Sequence, residues 1–349
     1  KAGADIAVAS LWINPRSFDD DLKQKVAGVS GPEAILLDAF LKRWHALEAV
    51  VFSISVHDNV EFKFSVQARE KELPPSARGF FTEPARPSDL WSRFPDKAIL
   101  GMAMRMEASA VADTFAEFAP GDVRRVLQNA LQPIAALTGI DIAKDIAPNI
   151  GPDFGVCVLP AAAPAKIPQI VAALAVRPGP KDVAIDQSLY RGVHFLAGLF
   201  VFDYNRRNPQ DPIRVNTLRQ GSVEIKYLSH NKVFLGFEPA CALKEGYLLL
   251  ASSPDAVARF GAAAAPATAN AEDPLVRISP NELARALREY RQTAIDFIAA
   301  NDLGSRMAAA QGLDSALSVL DLLGRVEIVR TAGSGQASFV LRFHPVRKR

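Results

Sequence analysis

The sequence contains little that supports local chemistry: two cysteines, five histidines and a net charge of +2 in 349 residues. Two thiols cannot supply a four-thiolate zinc site or a disulfide-rich scaffold. The near-balance of charge excludes a general electrostatic attraction to nucleic acid or to anionic membranes. No apolar run reaches the ~18 residues of a membrane-spanning helix. What remains is ordinary globular composition, with 49% hydrophobic and 22% charged residues.

Short catalytic and cofactor motifs are missing as well. The sequence has no HExxH, no GxSxG and no GxxxxGK[ST], the local signatures of a zinc hydrolase, a serine nucleophile and a phosphate-binding loop. The five histidines are scattered along the chain: His45, His57, His194, His230 and His344. We therefore predict no catalytic residues, no cofactor and no metal ligands. The alternative is a site assembled from distant residues.

Two groups of residues have a chemical interpretation that we weigh against a structural one. The run Asp19-Asp20-Asp21 lacks the glycine and distal glutamate of a calcium loop, and at a helix start its charges favour the helix dipole. Cys157 and Cys241 lie in apolar, strand-like surroundings, which predicts buried thiols. A single disulfide between them is the main alternative, and a nucleophilic Cys157 is a weaker one.

Charged side chains also fail to form a recognisable site in the sequence. Glu107, Asp113 and Glu117 bring carboxylates together, but nothing pairs them with an activated partner. The basic clusters Arg206-Arg207 and Arg347-Lys348-Arg349 lack aromatic residues interleaved on one strand face. We therefore predict no binding of nucleic acid.

The most informative feature is a similarity between the two ends of the chain. In each copy, apolar residues at helical spacing are followed by two segments of alternating apolar residues around a tight turn. A shift of 276 residues aligns the helix and first strand, and a shift of 277 aligns the second strand. Matched pairs are Leu37 and Leu313, Trp44 and Leu320, Val50 and Val326, Phe52 and Ile328, Phe62 and Phe339, and Phe64 and Leu341.

A strand and a further helix precede each copy, so the unit is β-α-α-β-β. Such units begin near residues 5 and 274, and a third, larger one begins near residue 97. We predict an α+β protein in which antiparallel sheets flanked by helices are built from these repeated units. Because a hairpin with one helix pair buries little surface, we expect the terminal units to pack together or to extend the middle sheet.

Local signals predict several boundaries. Ser279 and Pro280 are typical of an N-cap and a first helical residue, before one continuous helix NELARALREYRQTAIDFIAA. A long helix is predicted from about Asp182 to Asn208. Gly333-Ser334-Gly335 is predicted as a hairpin turn, because its glycines permit positive φ.

Composition divides the chain into five parts. These are a first unit at 1–72, a proline-rich connector at 73–95, an enlarged central unit at 96–260, an Ala/Pro-rich linker at 261–273 and a last unit at 274–349. The linker has the low complexity of a mobile segment.

Two segments carry a family resemblance. TGIDIAKDIAPNIGP (138–152) and GYLLLASSP (246–254), the latter followed by Arg259-Phe260, resemble recurrent segments of uncharacterised exported bacterial proteins. These domain-of-unknown-function proteins are common in planctomycete-type bacteria, and the resemblance spans residues 96–349. It implies a periplasmic or cell-envelope location, and it implies no catalytic residues.

These observations lead to a functional hypothesis. The leading interpretation is a non-catalytic, exported binding or scaffolding protein whose sheet faces contact another protein, a lipid or a cell-wall component. The alternatives are a hydrolase with a site assembled from distant residues, and a carrier of an apolar ligand. The first residues, KAGADIAVASLW, do not form a signal peptide. The chain also lacks an initiator methionine, which is consistent with removal of an upstream signal or anchor.

Overall fold

The computed structural model describes residues 7–83, 86–107, 149–161, 167–177, 185–232, 238–261, 272–301 and 305–346. Within these ranges the strands are β1 (Ala7–Ile13), β2 (Leu47–Val56), β3 (Val60–Ala68), β4 (Leu100–Arg105), β5 (Ile150–Leu159), β6 (Gln169–Val176), β7 (Arg214–Gln220), β8 (Val223–Ser229), β9 (Ala240–Lys244), β10 (Tyr247–Ala251), β11 (Asp273–Ile278), β12 (Leu323–Gly333) and β13 (Gln336–Pro345). The α-helices are α1 (Asp19–Val26), α2 (Pro32–Ala46), α3 (Pro75–Thr82), α4 (Ile185–Arg207), α5 (Pro254–Arg259), α6 (Pro280–Glu289), α7 (Arg291–Asn301) and α8 (Arg306–Leu320).

All of these strands form one antiparallel sheet. Its thirteen strands follow the order β1-β2-β3-β13-β12-β11-β4-β5-β6-β10-β9-β8-β7. The predicted α+β class, with antiparallel strands flanked by helices, is confirmed, and the described strands belong to a single sheet. The alternating apolar patterns of β2 and β3 give each of these strands two chemically different faces, because side chains in a strand point to opposite sides with period two.

The first and last units of the chain lie next to each other in the sheet. Strands β1, β2 and β3 pair in sequence, and so do β11, β12 and β13. The two groups join where β3 pairs with β13, with Lys63 opposite Val340. On its other side β11 pairs with β4 of the central unit. The terminal units therefore both pack together and extend the middle sheet.

Long helical connections link neighbouring strands. Helices α1 and α2 join β1 to β2, and helices α6, α7 and α8 join β11 to β12. Ser279 caps α6 as predicted, since its Oγ accepts a hydrogen bond from the backbone N–H of Glu282. The prediction of one continuous helix after Ser279 is wrong, because α6 ends at Glu289 with Tyr290 as its C-cap, and α7 begins at Arg291. The break allows Ile295 of α7 to pack with Ala284 of α6 and Leu313 of α8.

Other predicted boundaries agree closely with the structure. Helix α4 lies within the predicted range from Asp182 to Asn208. The turn between β12 and β13 has positive φ at Gly333, Ser334 and Gly335, as expected.

The proline-rich segment predicted as a connector contributes to the core. It contains α3 and a short 3-10 helix, Asp89–Ser92, in which Leu90 and Trp91 are buried. Composition could not indicate this, because short helices that pack on a sheet need only a few apolar residues. The low-complexity stretch 262–271, the helices predicted within 108–148 and the strand predicted at 233–237 lie outside the described residues.

The main hydrophobic core lies on one side of the sheet. It is formed by β4, β5, β6, β8, β9 and β10, and it is covered by the 3-10 helix and by α5. Its largest fully buried side chains are Leu90, Leu159, Val171, Ile225, Leu249, Val257 and Phe260. We call this side of the sheet the core face and the opposite side the apolar face.

Candidate functional site

The apolar face carries a continuous row of apolar side chains across eleven strands. Each member lies directly opposite the next in the strand register, from β1 to β9: Ala9, Ile54, Phe62, Leu341, Ile328, Val276, Met102, Val156, Ala172, Leu250 and Cys241. Ten inter-strand spacings of about 4.8 Å make this row roughly 48 Å long. It ends at β8, where the next residue in register is Lys226.

A second, parallel row adds to this surface. On each strand its member lies two residues away from the member of the first row. It consists of eight apolar residues on neighbouring strands from β2 to β6: Val56, Val60, Phe343, Val326, Ile278, Leu100, Val158 and Ile170. The side chains of both rows are carbon apart from the Met102 thioether and the Cys241 thiol. They therefore offer almost no hydrogen-bonding capacity.

Much of this surface is open to solvent. Phe62 is 44% exposed, Met102 46% and Leu250 48%, although all three are large and apolar. On the core face of the same strands, Cys157, Val171 and Leu249 are completely buried. Monomeric soluble proteins rarely expose contiguous apolar patches larger than a few hundred Å², and larger ones mark binding surfaces.

Two helices cover parts of the apolar face. Near β13, Phe80 of α3 stacks on Phe339 with ring centroids 5.7 Å apart. Near β9 and β10, Tyr190 of α4 packs in a cluster with Cys241 and Leu248. Helix α4 also carries exposed apolar side chains of its own: Phe195, Leu196, Leu199, Phe200 and Phe202. The open surface between α3 and α4 is therefore bordered by further apolar groups.

A shallow depression marks the part of the apolar face over β5, β6 and β10. It has a volume of about 240 Å³ and is lined by Phe154, Val156, Ala172, Leu174, Leu248 and Leu250, with Gly155 and Ala173 at its floor. The depression is open rather than enclosed, so it resembles a trough on the sheet surface and not a sealed cavity.

The other side of the first half of the sheet is polar. There the register aligns Glu61, Arg342, Glu327 and Arg277 on four neighbouring strands. Arg342 Nε donates to Glu61 Oε1 at 2.5 Å, and Arg342 Nη1 donates to Glu327 Oε1 at 3.2 Å. Glu272, Arg325 and His344 complete what we call the ionic cluster. Apart from Arg277, whose Nε has no hydrogen-bond partner, the acids and bases of this cluster satisfy one another, which is typical of a structural network.

The histidines are not brought together. His45 and His57 are exposed on a helix and at a hairpin turn, and His344 belongs to the ionic cluster. The imidazole of His230 is buried, and its Nδ1 accepts a hydrogen bond from the backbone N–H of Lys232. Burial, followed by the charge of Lys226, lowers the pKa of His194. None of the five belongs to a group of metal-binding side chains among the described residues.

The two cysteines are free and buried. Cys157 points to the core face and Cys241 to the apolar face, and three strand spacings, or about 14 Å, separate their strands. A disulfide between them is therefore excluded, since bonded Cα atoms lie within about 7 Å. Burial raises the pKa of Cys157 to about 12, although Arg259 opposes the rise. A buried thiol of this kind is a poor nucleophile, which argues against the Cys157 hypothesis.

The remaining sequence candidates do not form a catalytic constellation. Glu107 forms an ion pair with Arg177 at 2.9 Å, while Asp113 and Glu117 lie outside the described residues. Arg206 and Arg207 both form ion pairs with Asp203 of the same helix. Across the described residues, His, Cys, Asp and Glu side chains nowhere gather in a group of three or more suited to a metal ion.

The sequence hypothesis named sheet faces as the contact surface, but it did not identify which face or which residues form it. Alternation in β2 and β3 indicates that each strand has an apolar side, without indicating whether that side is covered. In the structure Phe52, Ile54 and Phe62 lie on an open side. Ser53, Ser55, Glu61 and Lys63 on the other side are polar, so the alternation by itself favours a sheet with one covered apolar face and one solvated polar face, and the open apolar face could not be read from it.

Comparison with models of protein families, with curated proteins and with solved structures finds no match for this chain. Among the helices that the structure describes, none combines the length and apolarity needed to cross a membrane.

Proposed function

We propose that the protein is a non-catalytic binding protein whose apolar face holds the hydrocarbon part of an apolar or amphipathic ligand, such as a fatty acyl chain. The observation that carries the proposal is the eleven-residue apolar row, several of whose large members are open to solvent. Transfer of such surface out of water stabilises a complex by about 25 cal/mol per Å².

The chemistry of the row favours a hydrocarbon chain over a protein surface. Protein–protein interfaces carry about one hydrogen bond per 100–200 Å² and a mixture of polar groups. Side chains of the two rows offer almost no donors or acceptors, and the backbone groups of these strands pair with each other across the sheet. A methylene chain needs no such partners. The trough of about 240 Å³ over β5, β6 and β10 gives it a preferred position.

The proposal includes an internal duplication. If β1–β3 and β11–β13 are copies, the pairing of Phe52 with Phe64 corresponds to the pairing of Ile328 with Leu341 under the sequence shifts. The same correspondence makes Lys63 and Val340 equivalent residues, and they lie directly opposite each other. A local two-fold axis between β3 and β13 is what two copies joined edge to edge would produce. Duplication would also explain how one apolar face extends over so many strands.

The proposal further includes an exported, cell-envelope location. It rests on the resemblance of segments 138–152 and 246–254 to exported bacterial proteins. A binding protein for acyl chains has an evident use in that setting, because its cargo is poorly soluble in the aqueous space between membranes.

Binding of a dansylated undecanoic acid, followed by its fluorescence, tests the proposal. We expect saturable binding with a blue shift, and competition by palmitate. A carboxylate placed in the row disfavours hydrocarbon contact, so Phe62→Glu and Met102→Glu should each weaken binding at least tenfold. Met307→Glu is the matched control, because Met307 is 72% exposed on α8, away from the strands of the row.

Two results would overturn this function. The first is a wild-type protein that does not bind the probe. The second is a loss of binding by Met307→Glu equal to that of the row variants. Analytical ultracentrifugation of the same proteins tests whether a second copy of the chain occupies the apolar face instead. If the wild type self-associates, Phe62→Glu abolishes the association and no probe binds, the face is an interface between two copies of the chain.

A further inference from the structure

A second candidate site lies on the other side of the sheet, at Arg277 of β11. Its neighbours in register are Glu327 of β12 and Gly101 of β4. The indole of Trp91 occupies the space above Gly101, where an added Cβ would lie 2.9 Å from the ring. The guanidinium carbon of Arg277 lies 4.4 Å from the centroid of this indole. Stacking on an aromatic face holds a guanidinium flat and leaves its N–H edges free to donate.

Arg277 has a buried donor without an acceptor. Its Nε is shielded from solvent and has no hydrogen-bond partner among the residues that the structure describes. The carboxylate opposite it is already engaged, because Glu327 accepts from Arg325, Arg342 and His344. Burial lowers the pKa of Arg277, and the positive charge of Arg325 adds to this effect. The charge of Glu327 opposes this effect only in part, and an anion that reaches the partly buried guanidinium would stabilise it further.

The guanidinium lines a pocket from which an anion can reach it. The pocket has a volume of about 320 Å³. It is lined by Trp91, Asp96, Gly101, Arg277, Ser279 and Arg325, among others. Its charged lining residues are Arg277, Arg325 and Asp96, and Arg325 is already paired with Glu327. The volume suits a small organic anion better than a segment of a macromolecule.

We propose that this pocket binds the oxyanion of a small molecule, a carboxylate or a phosphate, through paired hydrogen bonds from Arg277. A planar guanidinium presents two parallel N–H donors, which match two oxygens of either group. Trp91 fixes the plane of the guanidinium. The site lies on the face of the sheet opposite the apolar face, so it is independent of the proposed acyl-chain binding.

Thermal unfolding with inorganic phosphate, with succinate and with chloride at matched ionic strength tests this site. We expect phosphate or succinate to raise the midpoint temperature saturably, and the stronger of the two identifies the class of ligand. Arg277→Gln should abolish the effect, and Arg277→Lys should weaken binding at least tenfold because a lysine cannot donate in parallel. Arg219→Gln is the matched control, since Arg219 is an exposed arginine on the edge strand β7.

Titration calorimetry on the same proteins separates binding from folding defects. If the Arg277→Gln protein does not fold, the anion affinity of Arg277→Lys tests the proposal, because this variant retains the charge and most of the packing on Trp91. The inference is overturned if neither anion stabilises the wild type more than chloride does. It is equally overturned if the two Arg277 variants bind as tightly as Arg219→Gln. The row variant Met102→Glu should bind these anions normally, so failure of one site is distinguishable from failure of the other.

Discussion

Glu327 lies directly opposite Arg277 in the sheet but hydrogen-bonds to Arg342 on its other side, with Nη1 and Oε1 3.2 Å apart. His344 Nε2 donates to the same carboxylate oxygen at 3.0 Å. Burial alone would raise the pKa of Glu327, but the hydrogen bond from His344 and the charge of Arg325 outweigh it, so the pKa is lowered. Together with the hydrogen bond from Arg342 Nε to Glu61 Oε1, this arrangement holds β3, β13 and β12 together, and it does not include a hydrogen bond to Arg277.

Replacing Glu327 tests the ionic cluster. Glu327→Ala removes the acceptor of three donors, and we expect a loss of about 3 kcal/mol in the free energy of unfolding at pH 7, measured in urea. Because the folded-state pKa is lowered, the stabilisation is present above the unfolded value of 4.5 and disappears as the pH falls through the folded value. The difference between the two proteins should therefore shrink below pH 4. Glu33→Ala, at the exposed start of α2, should change stability by less than about 0.5 kcal/mol.

Asp273 gives a pH dependence of the opposite sign. Its side chain is buried, Oδ1 lacks a hydrogen-bond partner, and Oδ2 lies 3.9 Å from Arg330 Nη1. Burial raises its pKa to about 6 from 3.8. The protonated form is therefore favoured in the folded state, and its stabilisation is complete below the unfolded pKa and lost as the pH rises through 6.

Urea unfolding of wild type and Asp273→Asn between pH 4 and pH 7.5 measures this effect. Relative to the variant, the free energy of unfolding of the wild type should fall by about 2.5 kcal/mol over that range, most of the roughly 3 kcal/mol that corresponds to the pKa difference. Parallel stability profiles for the two proteins would contradict the assignment.

Gly155 is required by the close approach of β4 and β5. An added Cβ would lie 2.4 Å from the carbonyl oxygen of Met102 and 3.1 Å from Leu90 Cδ1. Backbone atoms cannot move aside without breaking the strand pairing, so Gly155→Ala should destabilise the protein by about 3 kcal/mol. Gly192→Ala in α4 is the matched control, since nothing lies within 4 Å of its added Cβ. It should raise the midpoint temperature slightly, because alanine favours a helix interior over glycine. Equal midpoints for the two variants would refute the steric argument.

The thiols should be inert in the folded protein. Burial raises the pKa of both Cys157 and Cys241, so neither forms a thiolate near neutral pH. We expect no reaction with Ellman's reagent at pH 8 without denaturant and two reactive thiols in urea without reductant. One fast thiol in the native state would revive the nucleophile hypothesis, and fewer than two after unfolding would indicate a disulfide.

The local elements of this fold follow from short-range patterns. Alternation in Val50–Val56 and Val60–Val66 predicts the β2–β3 hairpin, because period two separates the faces of a strand. Positive φ at Gly333 and Gly335 ends β12 where the sequence places the turn. In contrast, the break at Tyr290 was not predictable from helical spacing, since it depends on the packing of α7 against α8.

Sequence by itself therefore determined which residues share a face, where the hairpins turn and that no familiar catalytic motif is present. Tertiary structure decided which strands become neighbours and which face is covered. β3 meets β13 although Lys63 and Val340 are separated by most of the chain, and only this pairing aligns the apolar row. Periodicity reports that two faces of a strand differ, but burial depends on what packs against each face. For the same reason, the lack of a carboxylate partner for Arg277 becomes visible only once Glu327 is seen to be occupied by Arg342.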